Sequence, residues 1–160
     1  MGRIKVFTDG ASRGNPGHSG IGIVIYDENN FILKTYKEYI GEATNNQAEY
    51  RALIKSLELI KKWEADNQSD AQQVDLRSHR ESTGGGEFDS MEFYLDSELV
   101  VNQINFDYRV KEPDLALLNN KFHVIAKKLK KPYSVYYIER SGNKNADRLA
   151  NLAIDSKFKS

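Results

Sequence analysis

The chain has 160 residues, a formal net charge of zero and 39% hydrophobic residues, a composition typical of a globular domain with a sizeable core. It contains no cysteine, which excludes disulfides and thiolate metal sites. Its longest apolar run, residues 21–26, is too short to cross a bilayer. We therefore expect one domain over residues 1–160, cytoplasmic or in another reducing compartment, with no membrane partner.

Three strands are predicted to open the chain. Residues 3–8 alternate between apolar and polar side chains. Residues 21–26 and 31–40 are rich in β-forming residues and flank a good hairpin connection. Residues 10–20 contain four glycines and Pro16, which predicts a loop or tight turn between the first two strands.

Helices alternate with two more strands in the rest of the chain. Capping residues at 44–47 precede a helix that is predicted to end at about Trp63. The polar, glycine-containing stretch 65–89 predicts a flexible insertion. The remaining predictions are a strand at 91–95, helices at 97–106 and 113–130, a strand at 133–139 and a helix at 145–156. The order β-β-β-α-β-α-α-β-α predicts an α/β fold, a mixed sheet flanked by helices on both faces.

Four carboxylates occupy positions at which this arrangement could assemble a metal site. Asp9 and Asp96 each follow a predicted strand, and the carboxyl ends of adjacent parallel strands meet at one edge of a sheet. Glu49 lies on the apolar stripe of the first long helix, and Asp147 lies early in the last helix. An all-oxygen ligand set favours Mg²⁺ or Mn²⁺ over zinc.

Most of these carboxylates also have a simpler interpretation. Asp9 is a candidate turn residue, Asp96 a candidate helix cap and Asp147 a candidate partner of the helix dipole. Glu49 is harder to explain, because a carboxylate facing the core requires a partner. A basic run also has two interpretations, a solvated helix end or a phosphate contact. It consists of Lys127, Lys128, Lys130 and Lys131.

Four segments resemble the motifs of type 1 ribonucleases H, in the order of that family. They are residues 8–17 (TDGASRGNPG), residues 44–50 (TNNQAEY), residues 96–100 (DSELV), and Arg140 and Asn143 with residues 146–150. The resemblance covers nearly the whole chain outside residues 65–89. It implies a ribonuclease H-like five-stranded mixed sheet and an endonuclease that hydrolyses the RNA strand of RNA–DNA hybrids, giving 5′-phosphate and 3′-hydroxyl products.

The resemblance also implies roles for individual residues. Two Mg²⁺ ions, replaceable by Mn²⁺, are expected at Asp9, Gly10, Glu49, Asp96 and Asp147, with the four carboxylates catalytic. The implied contacts to the hybrid are Asn15, Thr44, Asn45, Asn46, Gln47, Arg140 and Asn143. Amide side chains donate and accept, so they suit a 2′-hydroxyl in the minor groove. Helix capping is the simpler interpretation of residues 44–46, although only one of them can be the cap.

The chain departs from many members of this family at the loop before the last motif. Residues 139–144 contain no histidine, which places the chain with the subgroup that lacks one and predicts lower turnover. Arg140 or Lys144 is a candidate substitute, and double-stranded RNA is a second substrate to consider. Two alternatives stay open: a weakly active or inactive module that binds hybrid or double-stranded RNA, and another nuclease or integrase of the same fold. We expect a monomer.

Overall fold

The structure, a computed structural model, describes residues 2–73 and 88–158, with side chains described outside residues 68–87. The strands within these residues are β1 (Arg3–Gly14), β2 (Gly17–Tyr26), β3 (Ile32–Ala43), β4 (Ser90–Leu95) and β5 (Tyr133–Tyr137). They form a sheet in the order β3-β2-β1-β4-β5. β2 pairs antiparallel with β1 and β3, whereas β4 is parallel to β1 and to β5. The predicted mixed five-stranded sheet is confirmed.

Helices cover both faces of this sheet. They are α1 (Asn45–Gln73), α2 (Glu98–Ile104), α3 (Pro113–Leu129) and α4 (Lys144–Phe158), with a short 3-10 turn at Arg140–Gly142. α1 packs on β1 and beside α3, while α4 packs on β2 and β3. The predicted stripe on α1 is confirmed, since Leu53, Leu57 and Ile60 are fully buried with Glu49 in line. None of the helices in the described parts of the chain has the length and hydropathy needed to cross a membrane.

The glycine-rich stretch forms a β-hairpin, so the predicted tight turn between the first two strands is confirmed, but a loop over all of residues 10–20 is wrong. β1 continues to Gly14 and β2 begins at Gly17, leaving a short turn at Asn15–Pro16 with a cis peptide bond. Some of these glycines lie within the paired strands and leave room for a helix to pack against the sheet. A Cβ on Gly20 would lie 2.4 Å from the carbonyl oxygen of Ala150, so α4 can approach β2 only where the side chain is absent.

The first long helix continues well beyond its predicted end at about Trp63. α1 runs to Gln73, so residues 65–73 of the proposed insertion are helical, and residues 74–87 lie outside the described part of the chain. This extension has no apolar stripe to reveal it in the sequence. Good helix formers and a Lys62–Asp66 ion pair of 3.7 Å, one turn apart, favour the helix instead.

The described part of the chain resumes at a buried residue, Phe88. Phe88 is only 5% exposed, and its carbonyl oxygen accepts a hydrogen bond of 2.6 Å from the Lys131 ammonium group. The same ammonium group lies 2.7 Å from the carboxylate of Glu64 on α1. Residues 88–89, at the end of the predicted insertion, are therefore part of the packed structure.

Candidate metal centre and nucleic-acid interface

Parallel pairing of β1 with β4 brings the first two predicted carboxylates to one edge of the sheet. Phe7 lies opposite Tyr94 in the pairing, and Asp9 and Asp96 each follow two residues later. Asp9 is 5% exposed and lies inside β1, so its interpretation as a turn residue is wrong. Ser97 caps α2, with its hydroxyl accepting a 3.2 Å hydrogen bond from the N–H of Val100. The cap interpretation of Asp96 is therefore also wrong.

A close contact between β1 and α1 places Glu49 beside them. A Cβ on Gly10 would lie 2.2 Å from the carbonyl carbon of Ala48, so the helix reaches this strand only because residue 10 is glycine. The Gly10 N–H then donates a 2.9 Å hydrogen bond to Oε1 of Glu49. The structure thus shows Gly10 holding a carboxylate in place, and a direct contact of Gly10 with metal stays a prediction.

The carboxylates converge tightly. Asp9, Glu49 and Asp96 each offer an oxygen atom such that all three atoms lie within 4.8 Å of one another. Asp147, in the first turn of α4, also lies next to Asp9. Burial, then the charge of Asp96, then contact with Asp147 raise the pKa of Asp9 to about 9. Burial and the charges of Asp9 and Asp96 raise the pKa of Glu49 well above its ordinary value, although the Gly10 N–H opposes that shift.

The donor set fits a hard divalent cation. The ligand atoms are all carboxylate oxygens, as Mg²⁺ and Mn²⁺ prefer. One oxygen of Asp96, Oδ2, is buried and has no hydrogen-bond partner among the described residues. A buried carboxylate oxygen without a donor is costly, and a cation bound beside it would remove that cost. Asp9, Glu49 and Asp96 are therefore suited to hold metal, with Asp147 within reach.

The start of α1 forms a capping box, which resolves the competing interpretations of residues 44–46. The Thr44 hydroxyl accepts a 3.1 Å hydrogen bond from the Gln47 N–H, and the Gln47 side chain accepts one of 2.9 Å from the Thr44 N–H. Thr44 is therefore the cap. Asn15 accepts a 3.0 Å hydrogen bond from the backbone N–H of Asn45. The side chains of Asn45 and Asn46 have no hydrogen bond to any described residue and stay available to a ligand.

The two predicted contacts of the last motif differ in exposure. Arg140 lies in the 3-10 turn, is exposed and makes no side-chain hydrogen bond or ion pair within residues 2–73 and 88–158. Asn143 is 1% exposed and donates a 2.8 Å hydrogen bond to the carbonyl oxygen of Thr8. Its burial leaves almost no amide surface for a substrate. Its observed contact joins the start of α4 to β1, next to Asp9.

The basic run lies far from the carboxylates. α1 and α3 run parallel, with Gln47 contacting Asp114 at one end and Glu64 contacting Lys131 at the other. The run at the end of α3 is therefore about 25 Å along the helix from the end that holds the carboxylates, at 1.5 Å per residue. A cavity of 540 Å³ lies closer, lined by Asn46 of α1 and by Arg109 and Lys111 of the α2–α3 loop.

Two polar residues near the carboxylate cluster were not predicted from the sequence. Asn151 donates a 3.2 Å hydrogen bond to Oδ1 of Asp147, and Arg13 of β1 donates one of 3.2 Å to Oδ1 of Asn151. The available signal was the spacing of Asp147 and Asn151, which puts an amide one helical turn after a carboxylate. The contact of Arg13 spans 138 residues of sequence, and no local pattern reveals it.

The fold agrees with the comparison to known protein families. The sequence matches the RNase H family over residues 1–155, and the chain belongs to that family. It is 34% identical to ribonuclease HI of Halobacterium salinarum over 157 residues, covering 96% of this chain and 65% of that protein. It is 33% identical over 159 residues to a Mycobacterium tuberculosis protein named as bifunctional, covering 99% of this chain and 37% of the longer one. The chain thus spans under two thirds of both relatives.

Solved structures share the architecture along nearly the full length of the chain. The crystal structure of RNase H1 from Halobacterium salinarum has a TM-score of 0.76 at 33% identity, covering 97% of this chain and 99% of that one. LC11-RNase H1 in complex with an RNA/DNA hybrid has a TM-score of 0.75 at 37% identity, covering 98% and 99%. The resemblance drawn from the four sequence motifs is confirmed.

Proposed function

We propose that the protein is an endonuclease that hydrolyses the RNA strand of RNA–DNA hybrids, leaving 5′-phosphate and 3′-hydroxyl ends. The observation that carries this proposal is the convergence of Asp9, Glu49 and Asp96 within 4.8 Å, with Asp147 beside Asp9. Membership of the RNase H family supports it. So does the similarity to LC11-RNase H1, whose structure contains an RNA/DNA hybrid.

The carboxylates are proposed to hold two divalent ions, which in such sites activate the attacking water and neutralise the phosphate during in-line displacement. Asp9 neighbours both Asp96 and Asp147, so it would be the central residue of the set that holds the metal. The Gly10 N–H donates a hydrogen bond to Oε1 of Glu49, which fixes the direction of the other carboxylate oxygen of Glu49. Asp147 lies outside the group of three carboxylates whose oxygen atoms come within 4.8 Å of one another, so we expect it to bind least tightly.

The amides beside the cluster are proposed to recognise the hybrid. Asn15, Asn45 and Asn46 lie together at the hairpin turn and the start of α1, where the Asn15–Asn45 hydrogen bond fixes their spacing. An amide both donates to and accepts from a 2′-hydroxyl, which distinguishes RNA from DNA without reading sequence. Thr44 and Gln47 are engaged in the capping box, so we assign them chiefly to shaping this surface.

Replacement of Asp9 by asparagine tests the proposed activity. Asp9→Asn keeps the side-chain shape and removes the central charge, so we expect Mg²⁺-dependent cleavage to fall by roughly 10³-fold, since bound metal supplies several kcal/mol of transition-state stabilisation. The assay uses a hybrid with the RNA labelled at one end, and compares it with duplex DNA and double-stranded RNA. Internal cuts indicate an endonuclease, and digestion by a 5′-phosphate-dependent exonuclease identifies the product ends.

Asp66→Asn is the matched control, because Asp66 is an exposed aspartate of α1 paired only with Lys62 in the described structure. We expect this variant to cleave like the wild type. A wild-type protein that binds hybrid but cuts nothing in Mg²⁺ or Mn²⁺ would contradict the proposal and favour a binding module.

A further inference from the structure

Asn151 holds the carboxylate that is least enclosed by the rest of the cluster. It lies one helical turn after Asp147 on α4, and its Nδ2 donates to both the backbone carbonyl (3.0 Å) and the Oδ1 (3.2 Å) of Asp147. Asp147 itself lies beside Asp9 at the edge of the cluster. A donor at this place fixes the rotation of the Asp147 carboxylate and leaves its second oxygen unoccupied.

Arg13 determines which way the amide of Asn151 points. Its Nη2 donates to the Oδ1 of Asn151 at 3.2 Å and to the backbone carbonyl of Asn151 at 3.4 Å. A guanidinium group has donors and no acceptor, so the amide oxygen of Asn151 must face Arg13. The amide nitrogen must then face Asp147. Without Arg13 the amide is free to turn over and present its oxygen to the carboxylate, which is repulsive.

We infer that Asn151 is a positioning residue that presents Asp147 to a divalent cation, and that Arg13 fixes the orientation of Asn151. This inference rests on the proposed function. Asp155 completes the arrangement, because its Oδ1 accepts a 2.6 Å hydrogen bond from Nη1 of Arg13. The chain of contacts therefore runs from Asp155 through Arg13 and Asn151 to Asp147, and the candidate metal centre extends beyond its four carboxylates.

Stability alone does not explain this arrangement. The Arg13 and Asp155 side chains are 45% and 54% exposed, and ion pairs this exposed contribute little to folding. Orientation of the metal ligand is the larger effect, because removing the hydrogen-bond partner of a metal ligand typically lowers metal affinity 10- to 100-fold. Arg13 also lies two residues before Asn15, which accepts from the backbone of Asn45. The same hairpin end therefore contacts both α4 and the start of α1.

Asn151→Leu tests the inference, because leucine has a similar size and no donor. We expect Mn²⁺ to bind the substrate-free protein about 10-fold more weakly in a calorimetric titration. The Mg²⁺ concentration for half-maximal hybrid cleavage should rise by a similar factor, while KM for the hybrid at saturating Mg²⁺ stays unchanged. A purely structural role would lower the unfolding midpoint without this shift in metal dependence.

Arg13→Met provides a second variant should Asn151→Leu fail to fold, because the Arg13 side chain is 45% exposed. It should weaken Mn²⁺ binding in the same direction, and the two changes combined should cost less than their sum, because both act on one hydrogen-bond chain. Asn120→Leu on the exposed face of α3 is the matched control for Asn151→Leu, since both replace an α-helical asparagine by leucine but only the second removes a donor to Asp147.

Three outcomes are informative. Weaker Mn²⁺ binding in Asn151→Leu or Arg13→Met, with wild-type affinity in Asn120→Leu, supports the inference. Unchanged Mn²⁺ affinity and unchanged Mg²⁺ dependence in both folded variants overturn it while leaving the proposed function intact. A wild-type protein that neither binds Mn²⁺ nor cleaves hybrid overturns the inference together with the proposed function.

Discussion

Asp9 is almost fully buried among other carboxylates, and this gives the metal-free protein a pH-dependent stability. Its pKa is raised from 3.8 to about 9, so between these values the folded protein holds a proton that the unfolded chain has released. The free energy of unfolding therefore falls as pH rises from about 4 to about 9, by at most about 1.4 kcal/mol per pH unit. Glu49 acts in the same direction, because its pKa is also raised.

The measurement is urea unfolding in the presence of a chelator, from pH 4 to pH 9, for the wild type and for Asp9→Asn. The difference between the two removes the contributions of the titrating groups that lie away from the carboxylate cluster. We expect the wild type to lose stability relative to Asp9→Asn as pH rises. A constant difference across the range would show that the Asp9 carboxyl is ionised in the folded protein without metal.

Individual residues divide into those that a sequence can reveal and those that only the fold brings together. Asp9 and Asp96 were predictable because each ends a run of strand-forming residues, and Glu49 because it interrupts an apolar helical stripe. Arg13 acts on Asn151 across 138 residues, and this contact depends on how β1 packs against α4. Burial of Asn143 was likewise invisible, because an asparagine before a helix normally indicates an exposed cap.

At the scale of elements, the approach of α1 to β1 depends on the absence of one side chain. A Cβ on Gly10 would lie 2.2 Å from the backbone of Ala48, and backbone cannot turn aside as a flexible side chain can. We expect Gly10→Ala to destabilise the protein by about 1–3 kcal/mol, as overpacking does. The displaced helix should also move Glu49, so hybrid cleavage should fall by more than the loss of folded protein explains.

Gly142→Ala is the matched control, because a Cβ there would meet only Ile138 Cδ1, at an ordinary 3.8 Å. Its free energy of unfolding should stay within about 0.5 kcal/mol of the wild type. Comparing the two variants by urea unfolding and by cleavage per folded molecule separates the loss of space from the general effect of replacing glycine. Equal behaviour of the two variants would contradict the packing argument.

Glycines that serve packing also explain the main error in predicting the elements. Glycine clusters usually indicate turns, yet Gly10 and Gly20 lie within paired strands where α1 and α4 approach. The polar end of α1 was missed for a different reason. Its sequence has no apolar stripe, so it gives no periodic signal. Elements that bury an apolar face were predicted well, while those organised by close backbone contact were not.

Across the whole molecule, the candidate metal centre draws its carboxylates from β1, α1, the end of β4 and α4. A cation bound there contacts residues that are close only in the folded protein, so binding must stabilise the entire fold. Without the cation, burial and the neighbouring carboxylates raise the pKa of Asp9 and of Glu49, which lowers the stability of the folded protein at neutral pH. The metal-free centre therefore lowers the free energy of unfolding, and a bound cation raises it.

Unfolding of the wild type and of Asp9→Asn, with and without Mg²⁺, measures this effect of the cation on stability. In a chelator at pH 8 we expect Asp9→Asn to be the more stable, because it lacks a buried carboxyl group beside Asp96 and Asp147. Mg²⁺ at about 100 times its dissociation constant should stabilise the wild type by about 2.7 kcal/mol and the variant far less, so the difference between them should shrink. Asp66→Asn should follow the wild type in both conditions. An equal gain from Mg²⁺ in the wild type and in Asp9→Asn would mean that Asp9 contributes little to holding the ion, and the proposed centre would then have to be built around Glu49 and Asp96.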